Sequence, residues 1–251
     1  MLQTGNAIAL GLFSRLGWDV GSVADMEADG RVLLRDVTVR YGRQIALEAI
    51  SGEFASGSLT AVVGANVAGK STLLAAIAGI VPLARGTVDR AARRQRLAYL
   101  PQLSTIDRDS PLSVSELITL GGWREFGAFR APSAVLRVRA GVAAEQVGLA
   151  GRLGRVVGEL SVGELQRALF ARLILQDAAI ILLDEPFAAV DAPTVSVLLD
   201  QVTQWHRAGK TVIAVLHDLD VVRAHFPWTL VLARRCLDWD KTEAALPATA
   251  V

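Results

Sequence analysis

The stretch Leu59 to Ile80, LTAVVGANVAGKSTLLAAIAGI, decides the fold. Thr60 to Val63 is an apolar run of strand length, Gly64 to Ser71 fits G-x-x-x-x-G-K-[ST], and the Leu/Ala-rich continuation predicts a helix. Strand, loop and helix in that order are what a phosphate-binding loop requires. Backbone N–H groups along Gly64, Ala65, Asn66, Val67, Ala68 and Gly69, and on through Ser71 and Thr72, can ring a polyphosphate. The helix N-terminus adds its partial positive charge at the same spot. Lys70 is expected to reach the β- and γ-phosphates and Ser71 to offer its hydroxyl to Mg2+. The stretch therefore predicts binding of a nucleoside triphosphate.

Composition sets the outer limits. The 251 residues suffice for one large or two small domains, and a hydrophobic content of 52% excludes a disordered chain. The formal net charge of +1 argues against a nucleic-acid surface as the main partner. The single cysteine, Cys236, excludes an intrachain disulfide and fits a reducing compartment. Mean hydropathy is high at +0.39. No uncharged apolar run approaches the roughly 18 residues that cross a bilayer, so the apolar excess is expected in a core or against a partner.

Outward from the loop, Met1 to about Asp29 reads as a leader of uncertain structure. AIALGLF at Ala7 to Phe13 resembles a short secretory core, but no Lys or Arg precedes it. Met26 stands just before the first convincing strand, so either it is the true start or the leader is an appendage. RVLLRDVTVR, from Arg31 to Arg40, alternates as an exposed edge strand should, and Ala46 to Phe54 answers it as a second strand. Tyr41 lies between them, either as hairpin packing or as a functional aromatic. Gly86 to Ala91 and Arg96 to Leu100 read as short strands, the latter ending at Pro101-Gln102. Helices are expected from Ser113 to Leu120 and from Val135 to Leu149, and no long heptad array occurs. Ser161 is placed to cap a further helix whose buried face carries Leu165, Leu169, Phe170 and Leu173.

Two apolar strands end in polar residues. Ala179 to Leu183 delivers Asp184-Glu185-Pro186, and Thr211 to Leu216 delivers His217-Asp218. A mostly parallel, helix-covered sheet places such strand ends at its ligand crevice. Acidic strand ends often just pair with Lys or Arg. Here the upstream phosphate loop needs a Mg2+ ligand and a base for water, which assigns Asp184 to the metal and Glu185 to the base. His217, taken alone, reads more readily as a structural histidine than as a functional one. His206 and His225 lie in helical, polar surroundings without metal-ligand spacing and read as structural.

Together these residues resemble the ATP-binding subunits of ATP-binding cassette transporters, over roughly Val32 to Leu232 and in that family's motif order. Gly64 to Ser71 resembles the Walker A loop, Leu160 to Glu164 the signature segment, and Ile180 to Asp184 with Glu185 the Walker B strand with its catalytic glutamate. The resemblance implies that Tyr41 stacks on adenine and that Gln102 contacts Mg2+ and senses the membrane partner. It also implies that Asp191 lies in a loop crossing a dimer and that His217 grips the γ-phosphate. The implied fold is α/β: a P-loop NTPase of ABC type with a mixed sheet core, an antiparallel β edge and a helical subdomain at about 103–160. The implied domain runs 30–240, followed by a C-terminal tail at 241–251.

The resemblance further implies two cassettes facing head to tail, homodimeric or with a paralogue, with each ATP held between one Walker A loop and the other copy's Ser161 and Gly163. Permease subunits in the membrane and, indirectly, an extracytoplasmic substrate-binding protein are the implied partners, with this chain peripheral on the cytoplasmic face. The segment Leu100 to Arg130 looks most like the zinc and manganese importer branch; iron-siderophore, haem or cobalamin importers are the alternative. Chromosome-maintenance and translation ATPases share the core, but they carry a long coiled coil or two cassettes, neither of which occurs here. A regulatory cassette impaired in hydrolysis is a further alternative.

Two departures favour that last alternative. Val67 stands in the Walker A loop, and Val162 in the signature, where the family usually has glycine. β-Branched residues resist positive φ, so strain is expected if either position needs glycine's conformation. The other expectation is that both backbones keep negative φ and the side chains point outward.

Overall fold

The computed structural model describes residues 30–90, 97–105, 108, 111–127 and 130–247. The leader at 1–29, the choice of Met26, and the strand ends at Ala91 and Arg96 lie outside the described residues.

In chain order the elements are β1 (Val32–Tyr41), β2 (Gln44–Phe54), β3 (Leu59–Val63), α1 (Lys70–Ala78), β4 (Arg85–Arg90) and β5 (Leu97–Leu100). Helices α2 (Val114–Thr119), α3 (Trp123–Phe126), α4 (Ala134–Gln146) and α5 (Val162–Gln176) follow. The chain continues through β6 (Ile180–Asp184), α6 (Ala192–Arg207), β7 (Thr211–Val215), α7 (Leu219–His225), β8 (Trp228–Ala233), β9 (Arg235–Lys241) and α8 (Thr242–Ala245).

The main sheet runs β5-β6-β7-β3-β8-β9. Its first five strands are parallel and β9 closes the edge antiparallel to β8. Every residue of β3, β6 and β7 is buried, because both faces are covered and alternation gives way to continuous apolar runs. The period of two still sorts the side chains. Val62, Ile180, Leu182, Ile213 and Val215 face a core shared with Leu73, Leu74 and Ile77 of α1 and with β1 and β2. Ala61, Ile181, Leu183, Val212 and Ala214 face a second core shared with α2, α4, α5 and α6. A fully buried Leu such as Leu73 contributes about 1.5–3 kcal/mol relative to an exposed one.

The three-stranded antiparallel sheet runs β2-β1-β4, which corrects the expectation that the first strand is an edge. β1 pairs on both sides, for example Val32 with Phe54 and with Arg90. Its alternation reports one buried face, carrying Val32, Leu34, Val37 and Val39, and says nothing of whether its lateral hydrogen bonds are used.

Helix ends follow their local chemistry. Ser113 and Ser161 each cap a helix through a capping box, with Glu116 and Glu164 bonding back to the cap backbone. The helix expected to reach Leu149 ends at Gln146, because Gly148 turns left-handed and Leu149 N–H returns to the Ala144 carbonyl at 2.8 Å. The four residues of α5 assigned to its buried face, Leu165, Leu169, Phe170 and Leu173, are all at most 1% exposed. Phe170 stacks on Trp205 of α6 at 5.5 Å, tying α5 to the layer beside the sheet.

Of the stretch 241–251 expected as a tail, the described residues include α8, which packs on the domain. Thr242 is buried, its hydroxyl lies 2.8 Å from that of Thr229 in β8, and it donates to the Phe226 carbonyl. A strand-end polar pair holds α8 against the domain despite the low hydrophobicity of that stretch.

Candidate functional site

The glycines of the phosphate loop are demanded by close approach. A Cβ on Gly64 would stand 2.1 Å from the Leu232 carbonyl oxygen, and one on Gly69 would stand 2.5 Å from that of Ala46. Gly69 also turns left-handed, with φ 93°, to launch α1. The loop is pinned from behind, since Arg234 N–H donates to the Ala68 carbonyl and Glu48 N–H to the Arg234 carbonyl, both at 2.8 Å. Ala65, Asn66 and Val67 lie exposed at its crest, with Ser71 and Thr72 half-buried in the first turn of α1.

Val67 has φ 63° and exposes 85% of its surface. The expectation of negative φ at both valines therefore fails here. A β-branched residue in this region costs on the order of 1–3 kcal/mol, and an exposed side chain recovers none of it by burial. Val162 is different. It is the first residue of α5 and is absent from the positive-φ residues, so no strain arises there and the two departures share no cause.

Lys70 is buried, and its Nζ donates to the carbonyls of Gly64 at 2.8 Å and Ala65 at 2.9 Å. An ammonium has three donors, so one remains for a phosphate oxygen. Burial lowers its pKa, while Glu185 and Asp184 oppose that shift. Asp184, at the end of β6, is 3% exposed and accepts from the Ser71 hydroxyl at 3.0 Å. Desolvation raises its pKa, helped by Glu185 and resisted by the Ser71 hydrogen bond and Lys70. A buried carboxylate held above its ordinary range beside a hydroxyl forms a set of hard oxygen donors that a cation would stabilise. Mg2+ uses one or two carboxylates together with substrate phosphates, so Ser71 and Asp184 fit it.

Glu185 follows with φ 52°, a left-handed backbone that carries its side chain away from the strand. Its Oε1 lies 2.7 Å from Nε2 of His217, just past β7. The pair is half-exposed. His206, by contrast, bonds the Gly57 carbonyl through Nδ1 at 2.9 Å and is structural, as expected.

The other expected residues surround this cluster. Tyr41 ends β1 and is 54% exposed. Gln102, half-buried, stands two residues beyond β5, the neighbour of β6. Ser161 is engaged as a cap, its hydroxyl accepting from Glu164 N–H at 3.2 Å. Gly163, in the first turn of α5, faces Asp191 and Thr194. Salt bridges to Arg152 and Arg155 hold the Glu164 carboxylate as it turns back to the Ser161 N–H. Sequence reasoning missed Tyr99. Its phenol faces Asp184, and burial first, then the charge and hydrogen bonding of Asp184, push its pKa up to about 12. A tyrosine one strand from an acidic strand end was the available signal.

The phosphate loop, Lys70, Ser71, Asp184, Glu185 and His217 form one connected cluster that could hold a triphosphate and activate a water against it. The family model described as ABC transporter matches residues 47–188. This chain belongs to the ABC transporter family. It is an ABC-type ATPase, and it is 35% identical over 207 residues to the manganese transport system ATP-binding protein MntB of Listeria monocytogenes, covering 80% of this chain and 86% of that protein. It is 37% identical over 211 residues to the zinc transport system ATP-binding protein TroB of Treponema pallidum, covering 82% and 79%. The MntB of Bacillus subtilis is 36% identical over 217 residues, covering 84% and 87%. An inward-facing ABC transporter structure superposes with a TM-score of 0.77 at 25% identity, covering 86% of this chain and 84% of that one. A dimeric bacterial ABC cassette superposes at 0.74 with 24% identity, covering 84% and 98%, and shares the fold.

Proposed function

We propose that this chain energises an importer of a divalent metal ion, manganese or zinc, from the cytoplasmic face of a membrane. The observation that carries the cargo class is that relatives named for manganese and zinc transport match it over 80–84% of its length. Among the described residues no helix is long and apolar enough to cross a membrane. In this reading the translocation path belongs to separate permease subunits. A binding protein outside the cell selects the ion.

In this reading Lys70 and the N–H groups of the loop from Gly64 to Thr72 hold the phosphates, and Tyr41 stacks on the base. Ser71, Asp184 and Gln102 hold Mg2+, which when bound draws charge from the phosphate oxygens. Glu185 takes the proton from the attacking water. His217 orients the Glu185 carboxylate at 2.7 Å and reaches toward the γ-phosphate. A second copy supplies Ser161 and the first N–H groups of α5, an anion site at a helix N-terminus, and Asp191 lies along the seam between copies. Preorganised donors around the transferred phosphoryl group are the main source of rate.

The permease is assigned to a cavity of about 360 Å³ lined by Tyr99, Trp123, Arg124 and Arg172. Arg172 lends it positive charge: it is half-buried, one guanidinium N–H donates to the Tyr99 carbonyl at 3.4 Å, and its Nε has no hydrogen-bond partner. An acidic or carbonyl-rich helix end fits that lining.

Deleting the gene for this chain tests the cargo. Cells should grow poorly under chelation and recover with added Mn2+ or Zn2+. Recovery only with haem, cobalamin or a siderophore would move the cargo to those compounds.

A further inference from the structure

Gln166 sits in the second turn of α5, 3% exposed. Its Nε2 donates to the Pro186 carbonyl at 2.7 Å, while its Oε1 is buried without a hydrogen-bond partner. A leucine there would fill the space and leave no orphaned amide oxygen, so core packing does not account for glutamine.

Pro186 has no N–H, which leaves its carbonyl as its only backbone hydrogen-bonding group. That carbonyl belongs to the residue directly after Glu185. Glu185 is held left-handed, its N–H donating to the Val215 carbonyl at 3.1 Å. The turn closes with Ala188 N–H on the Glu185 carbonyl at 3.2 Å and ends at Ala189, also left-handed with φ 59°. The turn is thus bounded by two unfavourable backbones. One helical turn earlier, a Cβ on Gly163 would stand 3.1 Å from Asp191 Oδ1 and 3.0 Å from Thr194 Oγ1. The signature helix thus lies close against the far end of this loop at Gly163 and bonds its near end through Gln166.

We propose that Gln166 is a positioning residue that fixes the left-handed backbone of Glu185, and with it the aim of the carboxylate at His217. The inference rests on Glu185 being the base. Misplacing a catalytic group by about 1 Å costs on the order of 100-fold in rate, so the effect falls on kcat and spares nucleotide binding.

Steady-state ATPase assays of the full chain with Gln166→Met test this, with Gln166→Leu beside it as a second apolar shape; both remove the Nε2 donor together with the orphaned oxygen. Both variants should lose at least about tenfold in kcat with KM for ATP within about twofold. In a Glu185→Gln background neither should slow turnover further, because the group they position is gone. Parent kcat in either folded variant, or the same fold-loss in both backgrounds, overturns the positioning role alone. A Glu185→Gln chain that hydrolyses at the parent rate overturns the base assignment and the positioning with it.

Discussion

The Ser71 hydroxyl donates to Oδ1 of Asp184 at 3.0 Å, joining the first turn of the phosphate-loop helix to the end of a central strand. Two hard oxygen donors from elements far apart in sequence are thereby held at the spacing a small divalent cation can bridge. Their proximity follows from β3 and β6 both flanking β7 in the parallel sheet.

Ser71→Ala removes one of those donors and keeps the carboxylate. The Mg2+ concentration for half-maximal ATPase activity should rise by about tenfold, equivalent to about 1.4 kcal/mol. An unchanged Mg2+ requirement in a titration at fixed ATP would remove Ser71 from the metal site.

Burial holds the Asp184 carboxyl above its ordinary pKa, so ionising it opposes folding. Below the ordinary carboxylate value of about 3.9 the group is protonated in both folded and unfolded chains and carries no penalty. The penalty grows as pH rises through the raised folded-state value and is complete above it. Asp184→Asn, measured without Mg2+ or nucleotide, should therefore raise the melting temperature more at pH 8 than at pH 4. An equal or reversed difference contradicts the burial argument.

Val67 and Val162 should respond to glycine with opposite signs. Val67→Gly relieves a left-handed valine and should stabilise the chain by about 1 kcal/mol after glycine's extra chain entropy, or roughly 2–4 °C in thermal unfolding. Val162→Gly puts glycine into the first turn of α5, where no strain exists, and should be neutral or destabilising by up to about 1 kcal/mol. Stabilisation by both variants would restore a common cause for the two departures.

The order of elements and the chemistry at strand ends were legible in the sequence because both are local. Gly64 to Ser71 carries its own geometry, and Asp184-Glu185 and His217 sit where an apolar run stops. Lateral order was not legible: the alternation of β1 describes its buried face, while its central position depends on β4, about fifty residues later. β8 and β9 were not singled out, since Trp228 to Lys241 interleaves apolar and charged residues around Arg234-Arg235. Nor could the sequence decide φ at the two valines. Val162 is preceded by a capping serine that fixes a helical start, whereas Val67 sits third in a turn closed by Ala68 N–H on the Ala65 carbonyl, a bond that either sign of φ allows, and there it takes the left-handed step. Tyr99 and Gln166 were missed because their roles arise from packing against Asp184 and Pro186.

The central claim is that this chain hydrolyses ATP with Glu185 as the base, and the turnover of Glu185→Gln with saturating Mg2+ and ATP tests it most directly. The substitution keeps the side chain's shape and removes the proton acceptor. Turnover should fall by about 100-fold or more while ATP binding persists and ATP stays trapped in a stable dimer. Hydrolysis at the parent rate would contradict the account.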